Sequence, residues 1–341
     1  MTQTGLAPAD ASPVSRVRAP GGLVLLVLSL LWLAREMWAA HASIARNLDD
    51  PAVAISSVAL ALPGVITASL VAGVAAGLFA ALRLAARTEP ATDGVADGAV
   101  DDPSETPAEP AASPWPGLAA RVARRAAVTG GVGLVVGVVA AGVILVAYGA
   151  TSAVRGLAIT TALAALIGGA LAAAPVRITR AGVAGVLVVF LTTAVLTIFQ
   201  EPLKSLFGAA DTVRSQSAAA GWFSLTSALV GGLAAGVTAY LCLRRAGLRW
   251  PMFLLAGAAP GLLYVVAEII TRLGGAQLLR VASGFSSWDA FAISYLGENR
   301  INFALAVGFL GGIIAMVLHG RTLKPAHEDD SEAAAQPPST S

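Results

Sequence analysis

Membrane-length apolar runs recur along this chain in pairs. One run goes out, a loop follows, and a Gly- and Ala-rich run returns to end on arginine. A helix rises 1.5 Å per residue and a bilayer core is ~30 Å thick, so a crossing segment needs ~20 apolar residues. Eight stretches meet that need, at about 21–39, 63–83, 127–148, 156–174, 181–199, 222–243, 251–271 and 302–319. In lipid, backbone polar groups must be satisfied within a helix or a closed barrel. A barrel would show short segments of alternating polarity, and these runs do not alternate. The expected fold class is an all-α integral membrane protein with about eight transmembrane helices arranged as four repeated helical hairpins.

The return runs are alike. Leu70-Val71-Ala72-Gly73-Val74-Ala75-Ala76-Gly77, closing on Arg83, resembles Leu229-Val230-Gly231-Gly232-Leu233-Ala234-Ala235-Gly236, closing on Arg244 and Arg245. Gly308 and Gly312 keep that spacing before Arg321, and Gly169 and Ala173 give a weaker version before Arg177. Repeats with an even number of spans share their topology, so a symmetry axis would run along the membrane normal rather than in its plane.

Composition agrees with a membrane chain. Hydrophobic residues make up 56% and charged residues only 12%, with mean hydropathy +0.76, where a soluble domain carries ~25% charge. With the N-terminus inside, 14 of the 22 basic residues fall on the cytoplasmic side, as the positive-inside rule requires. Both termini are thus expected in the cytoplasm. Arginine outnumbers lysine 20 to 2 among abundant Ala and Gly, which suggests a GC-rich bacterial genome and hence a plasma membrane. The first span has a second reading. Arg16 and Arg18, the run Leu23 to Leu33, and Ala40-His41-Ala42 fit a cleaved signal peptide, but Arg35 and Glu36 break the segment that should be neutral.

The chain divides by composition. Residues 1–20 are polar and proline-bearing. A first hairpin with its outer loop occupies 21–86. Residues 87–116 form an acidic linker holding Glu89, Asp93, Asp97, Asp101, Asp102, Glu105 and Glu109. Six further spans occupy 117–321, and the tail covers 322–341. The first 20 residues, the linker and the tail have too little apolar surface to offset ordering entropy and are expected to stay disordered on the cytoplasmic side. The linker reads as a solvating spacer or a dock for a basic partner. In the outer segment 275–297, Leu278, Val281, Phe285, Trp288, Ala292 and Tyr295 alternate at spacings of three and four. This amphipathic pattern suits a helix lying at the interface or folding over the bundle.

Small residues four apart let helices approach closely where lipid supplies no hydrophobic force. Gly73 and Gly77, Gly232 and Gly236, and Gly308 and Gly312 are therefore expected to pack helices within the bundle or to form a homo-oligomer seam. Gly130, Gly131, Gly133 and Gly137 add a glycine-rich face. None of these glycine strings precedes the Lys-Ser/Thr of a phosphate loop.

Ionisable residues inside spans are costly and point to function. Glu268 in the seventh span stands four residues before Arg272, a favourable helix-face spacing. Glu298, Asn299, Arg300 and Asn302 flank the eighth span, and Gln200 and Glu201 end the fifth at similar depth. The expected polar site is an outer-side convergence of Glu268, Arg272, Glu298, Arg300 and Glu201. Pro260-Gly261 interrupts the seventh span and is the expected hinge, because proline removes a helical hydrogen bond. Pro63-Gly64 is expected to open the second span.

No catalytic set is assembled. His41, His319 and His327 fall on opposite sides or in the tail, and Cys242 is the single cysteine. No metal site, cofactor or catalytic triad follows from these residues. The basic turns suit lipid headgroups, and nothing in them points to nucleic acid. Two function classes stay open: a permease or channel-like protein for a small solute or ion, and a non-catalytic membrane scaffold or accessory subunit of an envelope complex.

Overall fold

The computed structural model describes residues 20–46, 51–88, 115–148, 152–208 and 212–322. The expectations for the N-terminal segment before residue 20, for 89–114 and for the tail beyond residue 322 lie outside the described residues. The elements are α1 (Pro20–Ala45), α2 (Pro51–Thr88), α3 (Trp115–Tyr148), α4 (Ser152–Leu171), α5 (Val176–Ile198), α6 (Gln200–Leu206), α7 (Val213–Leu243), α8 (Trp250–Gly274), α9 (Ala276–Ser283) and α10 (Ser287–Gly320). Among the described residues there is no strand. All except α6 and α9 are long and apolar enough to cross a membrane. The protein is a multi-pass membrane bundle.

Consecutive long helices pack on one another: α1 on α2, α3 on α4, α5 on α7, and α8 on α10. At its centre stands α2, which also touches α3, α4, α5 and α8. Of its apolar window 78% is buried, against 17–44% in the other seven long helices. Two ends can be told apart. The α9 end also holds the C-terminal ends of α1, α3 and α5. The opposite end carries Arg83, Arg177, Arg180, Arg244, Arg245, Arg249 and Arg321.

Glycine sets the helix spacing. A Cβ on Gly77 of α2 would stand 2.8 Å from the Ala172 Cβ, and one on Gly137 of α3 would stand 2.8 Å from the Ala162 Cα of α4. A Cβ on Gly73 would strike the Ala165 carbonyl of α4. Gly232 and Gly236 of α7 fit against Leu310 and Ile314 of α10, while Gly308 and Gly312 fit against Gly261 and Leu254 of α8. Each of the six glycines that the spacing singled out thus meets another helix of the same chain.

Two helices are longer than their apolar cores. Pro63 lies inside α2 rather than opening it. Proline removes one hydrogen bond but leaves the preceding turns free to continue, and the helix begins twelve residues earlier, at Pro51. The 275–297 segment is divided. Gly284 caps α9, and the remainder forms the first turns of α10. Leu278 and Ala282 of α9 are buried against the bundle.

The arginine-rich end is closed by packing. Phe253 of α8 stacks on His319 of α10 with ring centroids 4.0 Å apart. Ala181, Ala239, Leu243, Ala256 and Ala315 complete that cluster. Arg177 donates from Nη1 to the Ala246 carbonyl at 2.8 Å, tying α5 to the turn after α7.

Candidate functional site

Toward the α9 end the helices part around a cavity of about 440 Å³. Its walls come from six helices: Trp32 and Glu36 of α1, Pro63, Gly64 and Thr67 of α2, Phe190 and Thr193 of α5, Ala220 and Ser224 of α7, Tyr264 and Glu268 of α8, and Tyr295, Leu296, Asn299, Arg300 and Phe303 of α10. Beneath it Val189, Ala228, Ala235 and Val307 pack into an apolar plug.

Glu268 is the best-held charge. Its side chain is 5% exposed and accepts from Nε of Arg272 at 3.0 Å and from Nε of Arg300 at 2.9 Å. The first pair follows from the four-residue spacing within α8. The second crosses from α10. Gly297 of α10 lies against the cluster: a Cβ there would stand in ordinary contact, 3.4 Å from Arg272 Nη2 and 3.7 Å from Glu268 Oε1. Six residues separate Glu268 from the end of α8, a depth of about 9 Å at 1.5 Å per residue. The two arginines satisfy both carboxylate oxygens, which offsets the cost of burying the side chain.

Glu36 faces the same cavity from α1. Its Oε1 accepts from the Trp32 indole at 3.2 Å and from Arg35. Its Oε2 lies 2.8 Å from where Gly64 would carry a Cβ, so the carboxylate presses on the α2 backbone. Trp32 stacks on Phe190 with centroids 4.3 Å apart, and the Arg35 guanidinium lies 5.9 Å from the centroid of the same ring. The two acids share a plan: each sits on the first helix of a packed pair, carries arginine, and rests on a glycine of the second helix.

Polar groups on the remaining wall are sparse. Thr67 returns its hydroxyl to the Pro63 carbonyl at 2.7 Å. Thr193 carries a buried hydroxyl with no hydrogen-bond partner among the described residues. A buried orphan of this kind calls for an explanation such as water or ligand.

The structure thus brings together Glu268, Arg272 and Arg300. Glu298 lies exposed on α10, away from the lining, and Glu201 sits on α6 with its side chain 77% exposed and 3.4 Å from Lys204. Pro260 and Gly261 are buried two turns deeper in α8. The Pro260 ring fills the notch left by Gly185 of α5, whose Cβ would lie 2.6 Å from Pro260 Cγ. Sequence reasoning noticed Glu36 as an ionisable residue within a span but did not join it to this site. Trp32, Phe190, Thr193 and Tyr264 had no signal beyond ordinary membrane-helix composition. Among the described residues no group of three His, Cys, Asp or Glu could hold a metal ion.

Comparison with known proteins finds no matching family model, no matching curated protein and no matching solved structure.

Proposed function

We propose that this chain is a permease or channel-like transporter of a small solute or ion. It would sit in a bacterial plasma membrane with both termini cytoplasmic, and its four hairpins would descend from a repeated unit. The observation that carries the reading is the aromatic-walled cavity with Glu268 and Arg300 on its lining, separated from the arginine-rich end by packed side chains. A site enclosed by several helices, two of which carry proline, suits alternating access. Glu268 would be the group whose pairing changes during the cycle, with Arg272 and Arg300 as its present partners. Pro260-Gly261 would act as the hinge. Its tight fit against Gly185 and Gly308 gives α8 a fulcrum below the cavity.

A second reading, a non-catalytic scaffold or accessory subunit, is favoured by one feature. An apolar groove of about 600 Å³ runs between α1 and α3 along Leu30, Leu33, Met37, Val136, Val139 and Val143, a surface that side chains of a partner helix could enter. The glycine faces lend this reading no support, since they pack inside the bundle.

Native mass spectrometry of the protein released gently from its own membrane separates the two. Transport predicts a monomer or homo-oligomer with a small molecule retained. A stoichiometric second polypeptide would replace that reading with the scaffold. Flux through Glu268→Gln then tests the mechanism: transport predicts its loss, and unchanged flux removes Glu268 from the cycle.

A further inference from the structure

We infer that the cavity accepts an anionic amphiphile, a compound with one negatively charged head and an apolar body; the inference rests on the transporter reading. The walls argue for the body. Trp32, Phe190, Tyr264 and Phe303 line the space with Leu296 and Ala220. A volume of about 440 Å³ falls in the range of ~300–1,000 Å³ typical of drug-sized ligands. An inorganic ion would leave most of this surface in contact with water, a poor use of aromatic walls.

The charges argue for the head. Aromatic walls with carboxylates would ordinarily suit an organic cation, but here each carboxylate already carries arginine. Glu268 takes a guanidinium on each oxygen, and Oε1 of Glu36 takes Arg35 and the Trp32 indole. Three arginines therefore face two carboxylates, leaving one positive charge in excess. Arg300 is the arginine on the cavity wall. It gives Glu268 only its Nε, and a guanidinium carries five N–H donors in a planar fork. Its Nη groups donate to no described residue, so they remain free for a carboxylate or phosphate oxygen, which this fork matches well. Asn299, one residue before Arg300, adds a neutral polar group at the same rim.

The head could belong to a membrane lipid or to a single-chain solute from water, and the test separates them. The full chain is placed in nanodiscs of zwitterionic phosphatidylcholine. Decyl phosphate, decyltrimethylammonium and 1-decanol are titrated against its thermal unfolding, with inorganic phosphate as the head alone. The expected result is a Kd for decyl phosphate at least tenfold below those of the other two decyl compounds, with no saturation by inorganic phosphate. Arg300→Gln should weaken decyl phosphate at least tenfold, and Arg300→Lys less. Because Arg300→Gln also removes a partner of Glu268, Ser224→Phe provides a second variant. It fills the cavity from α7 without touching the ion cluster and should also lose decyl phosphate. Competition by dioleoyl phosphatidate added to the nanodisc would assign the ligand to the bilayer, and competition by decyl phosphate alone to the solute pool. Equal affinity for the three heads, tighter binding of the ammonium compound, or no decyl compound bound would each overturn the inference. A different molecule retained in native mass spectra would then leave the transporter reading standing.

Discussion

Replacing Glu268 by glutamine tests whether the cluster acts as a unit. The side chain keeps its shape and loses its charge. In the native cluster two guanidinium groups reach its two oxygens at 3.0 and 2.9 Å. An amide offers one acceptor oxygen, so one arginine would meet an NH2 donor instead. Hydrogen bonds to charged groups contribute ~1.5–3 kcal/mol, and breaking a fully buried pair costs ~3–5 kcal/mol. Here the acid is 5% exposed but the arginine side chains are 50% and 32% exposed, so water compensates part of the loss. A cost of about 2 kcal/mol follows after that discount. At ~2–4 °C per kcal/mol for chains of this order, Tm should fall by roughly 4–8 °C. The assay is unfolding in neutral maltoside micelles at fixed scan rate, followed by tryptophan fluorescence, since such unfolding is often irreversible. Combining Glu268→Gln with Arg300→Gln restores the native charge excess and permits amide pairing. The double variant should therefore lose less than the sum of the single variants, by about 1 kcal/mol or more. Unchanged Tm in Glu268→Gln, with strictly additive singles, would refute the reasoning.

Other expectations follow from the packing and topology. Gly137→Ala places a methyl 2.8 Å from the α4 backbone, whereas Gly142→Ala, on the same helix, meets nothing within 4 Å. The first should destabilise by ~1–3 kcal/mol and the second should stabilise by up to ~1 kcal/mol, so equal melting temperatures would contradict the packing argument. Gly64→Ala should push the Glu36 carboxylate off the α2 backbone, weakening retention of any bound molecule severalfold in native mass spectra while Tm changes little. In a Cys242→Ser background, Arg46→Cys should react with an impermeant maleimide in intact cells and Arg321→Cys only after lysis; the reverse pattern would invert the proposed orientation. Deleting 90–112 should leave Tm unaltered, and if the scaffold reading holds it should release a co-purifying partner.

The eight spans were legible because length and hydropathy are local properties, and lipid leaves the backbone little choice of structure. Their limits were less so. Hydropathy falls at Glu298, Asn299 and Arg300, yet Glu298 and Arg300 are good helix formers, and α10 runs on through them from Ser287. The Glu268–Arg272 pair was legible for the same local reason. Arg300 reaches Glu268 from 32 residues away, and only shared depth in the membrane hinted at that meeting. Glu36 needed the tertiary structure: nothing in spacing tells that α1 and α8 line opposite sides of one space. Glu201, at comparable depth in sequence, turns outward on α6 instead and pairs with Lys204.

The central place of α2 has a consequence for biogenesis. It is made early and ends at Thr88, whereas its neighbour α8 ends at Gly274. At ~5–20 residues per second, the intervening roughly 190 residues take about 10–40 s to emerge from a ribosome. Until α4 follows, ending at Leu171, the small-residue face around Gly73 and Gly77 lies against acyl chains, which fill its notches less well than the carbonyls of α4 do later. The helix that ends as the axis of the bundle thus begins as its most poorly solvated member. Insertion is provisional until later helices enclose it, and a nascent chain stalled before α4 should be the form that membrane quality control recognises first.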